Sequence, residues 1–143
     1  MPVSILIVES PYYKEISEEL AKGAIAALKE MGAKYDRVQV PGALEIPGAI
    51  VMAEESEQYD GYVALGCVIR GETSHYDIVA GESARGLMAL TMEGVVVGNG
   101  ILTCENSEQA MARASVDGKN KGGDAARAAF DMITIRNRFM PRS

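Results

Sequence analysis

Short apolar runs alternate along the chain with longer segments of helical periodicity. The run over residues 62–69 is apolar at nearly every position, which is typical of a strand covered on both faces in a parallel sheet. Gly98-Asn99-Gly100 interrupts the last run, so we expect a break in that strand. The pattern predicts strands over residues 3–8, 35–40, 62–69 and 95–103.

Amphipathic helices are predicted between and after these strands. In the first helix, apolar residues recur every three or four positions from Ile16 to Met31, and Gly32 ends the pattern. The second helix tolerates Pro47 because the proline falls in its first turn. The pattern predicts the remaining helices over residues 44–54, 74–92, 106–115 and 124–135.

Two of the helix starts carry capping patterns. Ser74, with Asp77 three residues later, is typical of an N-cap residue and its reciprocal partner. Residues 106–109, Asn-Ser-Glu-Gln, form a similar capping-box pattern. The first of these places the histidine, His75, in the first turn of a helix.

The alternation of strand and helix predicts the fold class. Repeated strand-helix units favour a parallel sheet with right-handed crossovers and helices on both faces. We therefore expect an α/β, flavodoxin-like three-layer sandwich with a four-stranded parallel sheet, and a single domain over residues 1–143. The first strand is not followed by Gly-x-Gly-x-x-Gly, and no Gly-rich loop ends in Lys-Ser/Thr. These features disfavour a dinucleotide or nucleoside triphosphate site.

Composition excludes several function classes. The net charge of −6 and the lack of a basic run argue against nucleic acid as a partner. The apolar amino-terminal stretch is short and has no basic flank, so we expect no signal peptide, no membrane span and a cytoplasmic location. Cys67 and Cys104 lie in apolar runs and are predicted to be reduced packing residues. With one histidine and no cysteine cluster, no metal site is predicted.

Chemically distinctive side chains follow the predicted strand ends. The carboxyl ends of parallel strands share one edge of a sheet, where open α/β folds bind ligands. Tyrosines there offer an aromatic face, a carboxylate binds hydroxyls, and a helix start binds anions. The imidazole exchanges protons near neutral pH. The residues at this edge are Tyr12, Tyr13, Glu45, Thr73, Ser74, His75 and the segment 103–106.

Each of these residues also has an ordinary structural explanation. Tyrosines after a strand commonly pack at its rim, and Glu45 near a helix start compensates the helix dipole. His75 is then a surface residue on a capped helix, and Arg113 and Lys121 are solvated charges. The convergence of all of them on one edge favours a site there.

Four ordered motifs carry a resemblance that runs nearly end to end. They are Val-Pro-Gly-Ala-Leu-Glu-Ile-Pro (40–47), Leu-Gly-Cys-Val-Ile-Arg-Gly-Glu-Thr-Ser-His-Tyr-Asp (65–77), Gly-Ile-Leu-Thr-Cys-Glu-Asn with Glu-Gln-Ala-Met-Ala-Arg-Ala (within 100–114) and Asn-Lys-Gly-Gly-Asp-Ala-Ala (120–126). On these motifs the chain resembles the lumazine synthases of riboflavin biosynthesis.

The resemblance implies a reaction and a set of partners. The substrates are 5-amino-6-ribitylaminouracil and 3,4-dihydroxy-2-butanone 4-phosphate, and the products are 6,7-dimethyl-8-ribityllumazine, phosphate and water. The family needs no cofactor and no metal. Its sites lie between adjacent subunits of a homopentamer, which some members extend to a decamer or an icosahedral 60-mer. Riboflavin synthase is a further partner that the resemblance raises.

The resemblance also implies residue roles. His75 moves protons as the catalytic residue. Tyr12 replaces a stacking phenylalanine, Tyr13 stands where asparagine is common, and Asn99 replaces a frequent phenylalanine or another residue. The residues implied for the uracil and ribityl group are Tyr12, Tyr13, Ala43, Leu44, Glu45, Cys67, Val68, Ile69, Asn99 and Lys121. Those implied for the phosphate are Gly71, Glu72, Thr73, Ser74 and Arg113.

Three other functions compete with this interpretation. A flavin- or lumazine-binding protein that has lost the chemistry would not need His75 and Arg113. A shell-forming protein would not need a complete phosphate site. A flavodoxin-like electron carrier would need a Ser/Thr-rich phosphate loop after the first strand, and Glu9-Ser10-Pro11-Tyr12 is a poor candidate.

Overall fold

The computed structural model of the chain describes residues 2–140. Strands and helices alternate as the apolar pattern predicts, and the second helix is preceded by a 3-10 turn at Ala43–Glu45. The strands are β1 (Ser4–Glu9), β2 (Lys34–Gln39), β3 (Gly61–Ile69) and β4 (Val97–Cys104). The helices are α1 (Lys14–Glu30), α2 (Ile46–Glu55), α3 (His75–Met92), α4 (Ser107–Ala114) and α5 (Lys121–Phe139).

The strands form one parallel sheet in the order β2-β1-β3-β4. The predicted flavodoxin-like sandwich is confirmed. β3 lies inside the sheet and is buried along eight of its nine residues, whereas the edge strand β2 is largely exposed. Because all strands are parallel, the loops that follow them meet at one edge.

Side chains on the two faces of the sheet build two apolar clusters. Ile5 and Ile7 of β1 face the cluster that contains the apolar residues of α1, α4 and α5. Leu6 and Val8 face the other cluster, with residues of α2 and α3. Successive strand residues point to opposite faces, so the continuous apolar runs follow directly from a sheet covered on both sides.

The predicted break in the fourth strand is wrong. β4 runs without interruption through Gly98 and Gly100. A Cβ at Gly98 would overlap the carbonyl oxygen of Ala125 in α5. The glycines therefore serve close packing of a helix on the strand and do not end it.

The predicted start of the last helix is also wrong, by three residues. Asn120 adopts a left-handed conformation with φ of 48°, and its side chain accepts a hydrogen bond from the Gly123 N–H at 3.3 Å. This cap starts α5 at Lys121. Gly122 lies so close to α1 that a Cβ there would overlap the Leu20 carbonyl oxygen. Of the helices between residues 2 and 140, none is both long and apolar enough to cross a membrane.

Candidate active site

The carboxyl edge of the sheet holds a cavity of about 440 Å³. Its walls come from the loops that follow β1, β2 and β3. Ten of the predicted site residues line it: Tyr12, Tyr13, Ala43, Leu44, Glu45, Val68, Ile69, Gly71, Thr73 and His75.

The first wall is aromatic. The rings of Tyr12 and Tyr13 meet edge to face, with centroids 4.9 Å apart. Tyr12 is 76% exposed, which leaves most of its ring free for contact. Burial raises the pKa of the Tyr13 phenol, and the neighbouring Cys67 adds to the rise. Tyr13 is therefore a neutral hydroxyl at physiological pH, able both to donate and to accept.

The second wall is the 3-10 turn between β2 and α2. Gly42 precedes it in an extended conformation, and Pro47 stands in the first turn of α2 as predicted. A Cβ at Gly42 would lie 3.1 Å from Oε1 of Glu45, so the glycine leaves room for this carboxylate. Ala43 is buried, whereas Glu45 is exposed. The turn thus offers a carboxylate beside an apolar floor.

The third wall is the turn from β3 into α3. Residues 71–75 are all exposed, and His75 is the first residue of the helix. The His75 N–H donates to Oγ1 of Thr73 at 3.3 Å. The Asp77 N–H donates to the Ser74 carbonyl at 3.0 Å. The start of a helix, with the positive end of its dipole, suits an anion.

The predicted Ser74–Asp77 capping pair is wrong. Within the described part of the chain, the Ser74 side chain makes no capping hydrogen bond. The Asp77 carboxylate instead lies 3.5 Å from Nη1 of Arg70. Ser74 itself is already helical, with φ of −72° and ψ of 0°, and the hydroxyl of Thr73 takes over as the side-chain acceptor.

Known proteins match this chain over nearly all the residues that the structure describes. The family model for 6,7-dimethyl-8-ribityllumazine synthase matches residues 2–137. The chain belongs to the 6,7-dimethyl-8-ribityllumazine synthase family. The resemblance predicted from the motifs is confirmed.

Curated relatives with the same name match over nearly their full lengths. The 6,7-dimethyl-8-ribityllumazine synthase of Novosphingobium aromaticivorans is 60% identical over 134 residues, covering 94% of this chain and 96% of that protein. The Bartonella tribocorum protein of that name is 58% identical, covering 94% of this chain and 91% of the relative. The 6,7-dimethyl-8-ribityllumazine synthase 1 of Rhizobium meliloti is 57% identical, covering 96% and 94%.

Glu72 and Ser74 were predicted to bind the phosphate. Both lie in the turn between β3 and α3, but neither lines the cavity. Cys67 is buried in the cluster on the α1 side of the sheet. Burial raises the pKa of its thiol to about 12, and Cys104 adds to the rise. Cys67 is thus a neutral packing group.

Three further predicted residues lie away from the cavity. Asn99 is exposed on the edge strand β4, where its Oδ1 accepts from the Ile101 N–H at 2.9 Å. Arg113 lies on α4 and donates through Nη1 to the Gln109 carbonyl at 3.0 Å. Lys121 opens α5, with Nζ 3.9 Å from a carboxylate oxygen of Asp124. Within the described chain, these three are not brought together with His75.

The second capping prediction is confirmed. Oδ1 of Asn106 accepts from the Gln109 N–H at 2.8 Å, and the Gln109 side chain accepts from the Glu105 N–H at 2.8 Å. The Asn106 cap, with the Gln109 side chain bonded one residue before it at Glu105, fixes the loop that leads from β4 into α4. Arg113, one turn further along α4, thereby has a defined position next to Cys104, and its charge opposes the rise that burial causes in the pKa of the Cys104 thiol.

Five cavity residues had not been predicted. Tyr76 follows the predicted histidine directly, and Val79 lies one helical turn after His75, on the same face of α3. The helical period was therefore a signal that could have identified Val79. The unpredicted lining residues are Ser10, Pro41, Gly42, Tyr76 and Val79. Among residues 2–140, no group of three or more His, Cys, Asp or Glu side chains is placed to hold a metal ion.

Proposed function

We propose that this protein condenses 5-amino-6-ribitylaminouracil with 3,4-dihydroxy-2-butanone 4-phosphate to 6,7-dimethyl-8-ribityllumazine, as a transferase of riboflavin biosynthesis. The observation that carries the proposal is the cavity itself. It combines an aromatic wall, a carboxylate and an imidazole at a helix start. A planar heterocycle with a polyhydroxyl chain and a phosphate ester needs these groups together.

The two tyrosines and the end of β3 bind the uracil. Tyr12 stacks on the ring, and Val68 and Ile69 border it from β3. This assignment is supported by the exposure of Tyr12 and by the position of all three residues in the cavity lining. Tyr13 offers its hydroxyl to a ring substituent.

The turn between β2 and α2 binds the ribityl chain. Ala43 and Leu44 pack along it, and the Glu45 carboxylate accepts hydrogen bonds from its hydroxyls. Hydrogen bonds to a charged acceptor are stronger than those between neutral groups, so Glu45 orients the chain as well as binding it. The space that Gly42 leaves beside Oε1 of Glu45 supports this role.

The turn between β3 and α3 binds the phosphate. In this proposal the backbone N–H groups of Gly71 and Glu72 and the hydroxyls of Thr73 and Ser74 bind one anion, at the positive end of the α3 dipole. Support comes from the exposure of the whole turn and from the lack of a side-chain cap at Ser74 within the described chain. A cap would have engaged the Ser74 hydroxyl that the phosphate needs.

His75 moves the protons. The amine attacks the ketone, water leaves to give an imine, phosphate is eliminated, and the second ring closes. A positioned acid or base contributes about 10²–10⁴-fold to such steps. Alignment of the two substrates contributes more, since effective molarities reach about 10⁵ M or higher. No step changes the oxidation state of the summed reactants, so the proposed reaction needs no cofactor.

A second subunit completes the site in a homopentamer. Arg113 of the neighbour binds two phosphate oxygens, and its Asn99 and Lys121 border the ring and the entrance. Support comes from the distribution of the predicted residues, because one chain holds only part of the set around its own cavity. Exposed apolar side chains also cover α2 and α3: Val51, Met52, Ile78, Met88 and Met92. Burial of such a surface drives association. The pentamer acts in the cytoplasm.

The test is to mix the purified protein with both substrates and follow lumazine fluorescence and released phosphate together. We expect both to appear in equal amounts, above the spontaneous rate. Tight binding of lumazine without acceleration would contradict the proposal and favour the non-catalytic binding protein. An assembled shell with neither binding nor turnover would favour the structural protein.

A further inference from the structure

Arg70 was assigned no role in the site, yet its side chain contacts three residues around the turn, two in α3 and one in the loop after β4. Its Nε lies 3.0 Å from both carboxylate oxygens of Glu105, in the loop after β4. Its Nη1 lies 3.5 Å from the Asp77 carboxylate of α3. Its Cζ lies 4.3 Å from the ring centroid of Tyr76.

These contacts close the turn that carries His75. Arg70 stands directly before the turn, and Tyr76 and Asp77 directly after it. The backbone N–H of Arg70 also donates to the Cys104 carbonyl at 2.9 Å, which anchors the start of the turn to β4. Residues 71–75 of the turn are exposed. The Arg70 guanidinium therefore holds the two ends of the turn together, because it contacts the residues that follow it.

We propose that Arg70 is a positioning residue that sets the orientation of His75 toward the substrates. This inference rests on the proposed function. The guanidinium acts through its neighbours: it holds the two residues that follow His75, and one of them, Tyr76, lines the cavity.

The charge balance around Arg70 separates this role from phosphate binding. Two carboxylates, Glu105 and Asp77, flank the guanidinium and more than neutralise it. The hydrogen bonds to Glu105 and its charge raise the pKa of Arg70. Arg113, in contrast, donates to a backbone carbonyl and keeps its positive charge available for an anion.

The shape of the side chain matters as much as its charge. A guanidinium is a planar fork that can bond carboxylates and lie over a ring at the same time. A lysine ammonium in its place would keep the charge and lose both the fork and the stacking. The Arg70→Lys variant therefore tests geometry separately from charge.

The experiment compares Arg70→Gln and Arg70→Lys with the wild-type protein. Arg127→Gln is the matched control, because Arg127 is 47% exposed against 45% for Arg70 and bonds Glu30 at 3.1 Å on a different helix. We expect both Arg70 variants to lower kcat about tenfold or more, with KM for the butanone phosphate changed less than twofold, a positioning loss of the kind caused by small misplacements. Arg127→Gln should leave both constants unchanged.

A double-variant measurement separates positioning from direct binding. In a His75→Ala background, Arg70→Gln should cost less than twofold, because the group that it orients is gone. An undiminished effect in that background, or a raised KM for the butanone phosphate, would overturn the proposal and make Arg70 a phosphate ligand.

The histidine gives a readout that does not depend on activity. The chain has a single histidine, so its imidazole NMR signals belong to His75 alone. Arg70→Gln and Glu105→Gln should both shift these signals, and Arg127→Gln should not. Unchanged signals in both variants would overturn the proposal even if the enzyme is active. If the His75 signals shift but the protein has no synthase activity, the proposed function is wrong, and the effect of Arg70 on His75 is still supported.

Discussion

Glu9 at the end of β1 and Arg37 on β2 form a two-point ion pair, with Nε–Oε2 and Nη2–Oε1 distances of 2.9 and 2.8 Å. The Glu9 side chain is only 4% exposed, whereas that of Arg37 is 44% exposed. The hydrogen bond to Glu9 raises the pKa of Arg37. The pair joins the two strands just before the loops that carry Tyr12 and Glu45, so it supports two walls of the cavity.

Loss of this pair should destabilise the fold. Arg37→Ala leaves a buried carboxylate without its partner, and we expect a loss of about 1–2 kcal/mol, reduced from the value for a fully buried pair because water reaches Arg37. Urea unfolding at fixed protein concentration measures it. The control is Arg127→Ala, whose exposed pair with Glu30 should contribute less than about 1 kcal/mol. Equal losses in the two variants would refute the structural role of the Glu9–Arg37 pair.

Alanine substitutions at Gly98 and Gly81 should change the stability of the fold in opposite directions. A Cβ at Gly98 would overlap the Ala125 carbonyl oxygen, so Gly98→Ala should push α5 from β4 and cost about 1–3 kcal/mol or more. A Cβ at Gly81 in α3 would have nothing within 4 Å among the described residues, and Gly81→Ala should stabilise the helix by about 0.5–1 kcal/mol. Thermal or urea unfolding of both variants checks the prediction, which fails if Gly98→Ala is neutral.

Cys67 should make stability fall with rising pH. Burial raises the pKa of its thiol from 9.0 to about 12, so the folded protein keeps a proton that the unfolded chain releases above pH 9. This contribution to the free energy of unfolding is full below pH 9. It is lost as the pH rises from 9 toward about 12, by up to about 1.4 kcal/mol per pH unit. Unfolding of wild type and Cys67→Ala at pH 8 and pH 10 measures the difference. A slope that is identical in the two proteins would contradict this account.

His75→Ala should slow the reaction without abolishing it. Loss of the proton-moving group should lower kcat by about 10²–10⁴-fold, while substrate alignment in the cavity still accelerates the reaction above background. The measurement is lumazine formation with both substrates saturating, on protein shown by circular dichroism to be folded. Complete loss of activity in folded protein would mean that the imidazole, and not alignment, dominates.

Local pattern predicted the strands and their edge, but it could not predict close tertiary contacts. The continuous apolar runs located β1 and β3 because these inner strands are covered on both faces, and parallel strands bring their loops together. The same pattern misread Gly98 as a break and started α5 three residues late, after Gly122, although the small size of both glycines serves contacts with distant backbone. Glycine breaks a local pattern in the same way whether it ends an element or packs against a helix. Only the folded chain distinguishes the two.

In the candidate site, too, local sequence motifs predicted most of the lining residues but not the contacts between residues distant in sequence. Motif residues after β1, β2 and β3 were predicted and line one cavity. The Ser74 cap was wrong because a Ser-x-x-Asp spacing does not reveal that Arg70 engages the Asp77 carboxylate. Arg113 and Lys121 follow β4 in sequence, yet they lie outside the cavity, and the proposal assigns them to the neighbouring subunit's site.

The most direct test of the shared site is co-expression of His75→Ala with Arg113→Ala in one cell. If each site takes His75 from one subunit and Arg113 from its neighbour, mixed pentamers regain about one intact site in four, because each site draws on two subunits chosen at random. The account predicts lumazine synthesis at about a quarter of the wild-type rate, far above either parent variant, and no recovery when Arg113→Ala is replaced by the double variant His75→Ala/Arg113→Ala. Activity of the mixture equal to the average of its two parents would contradict the account, because it would place both residues in the site of a single chain.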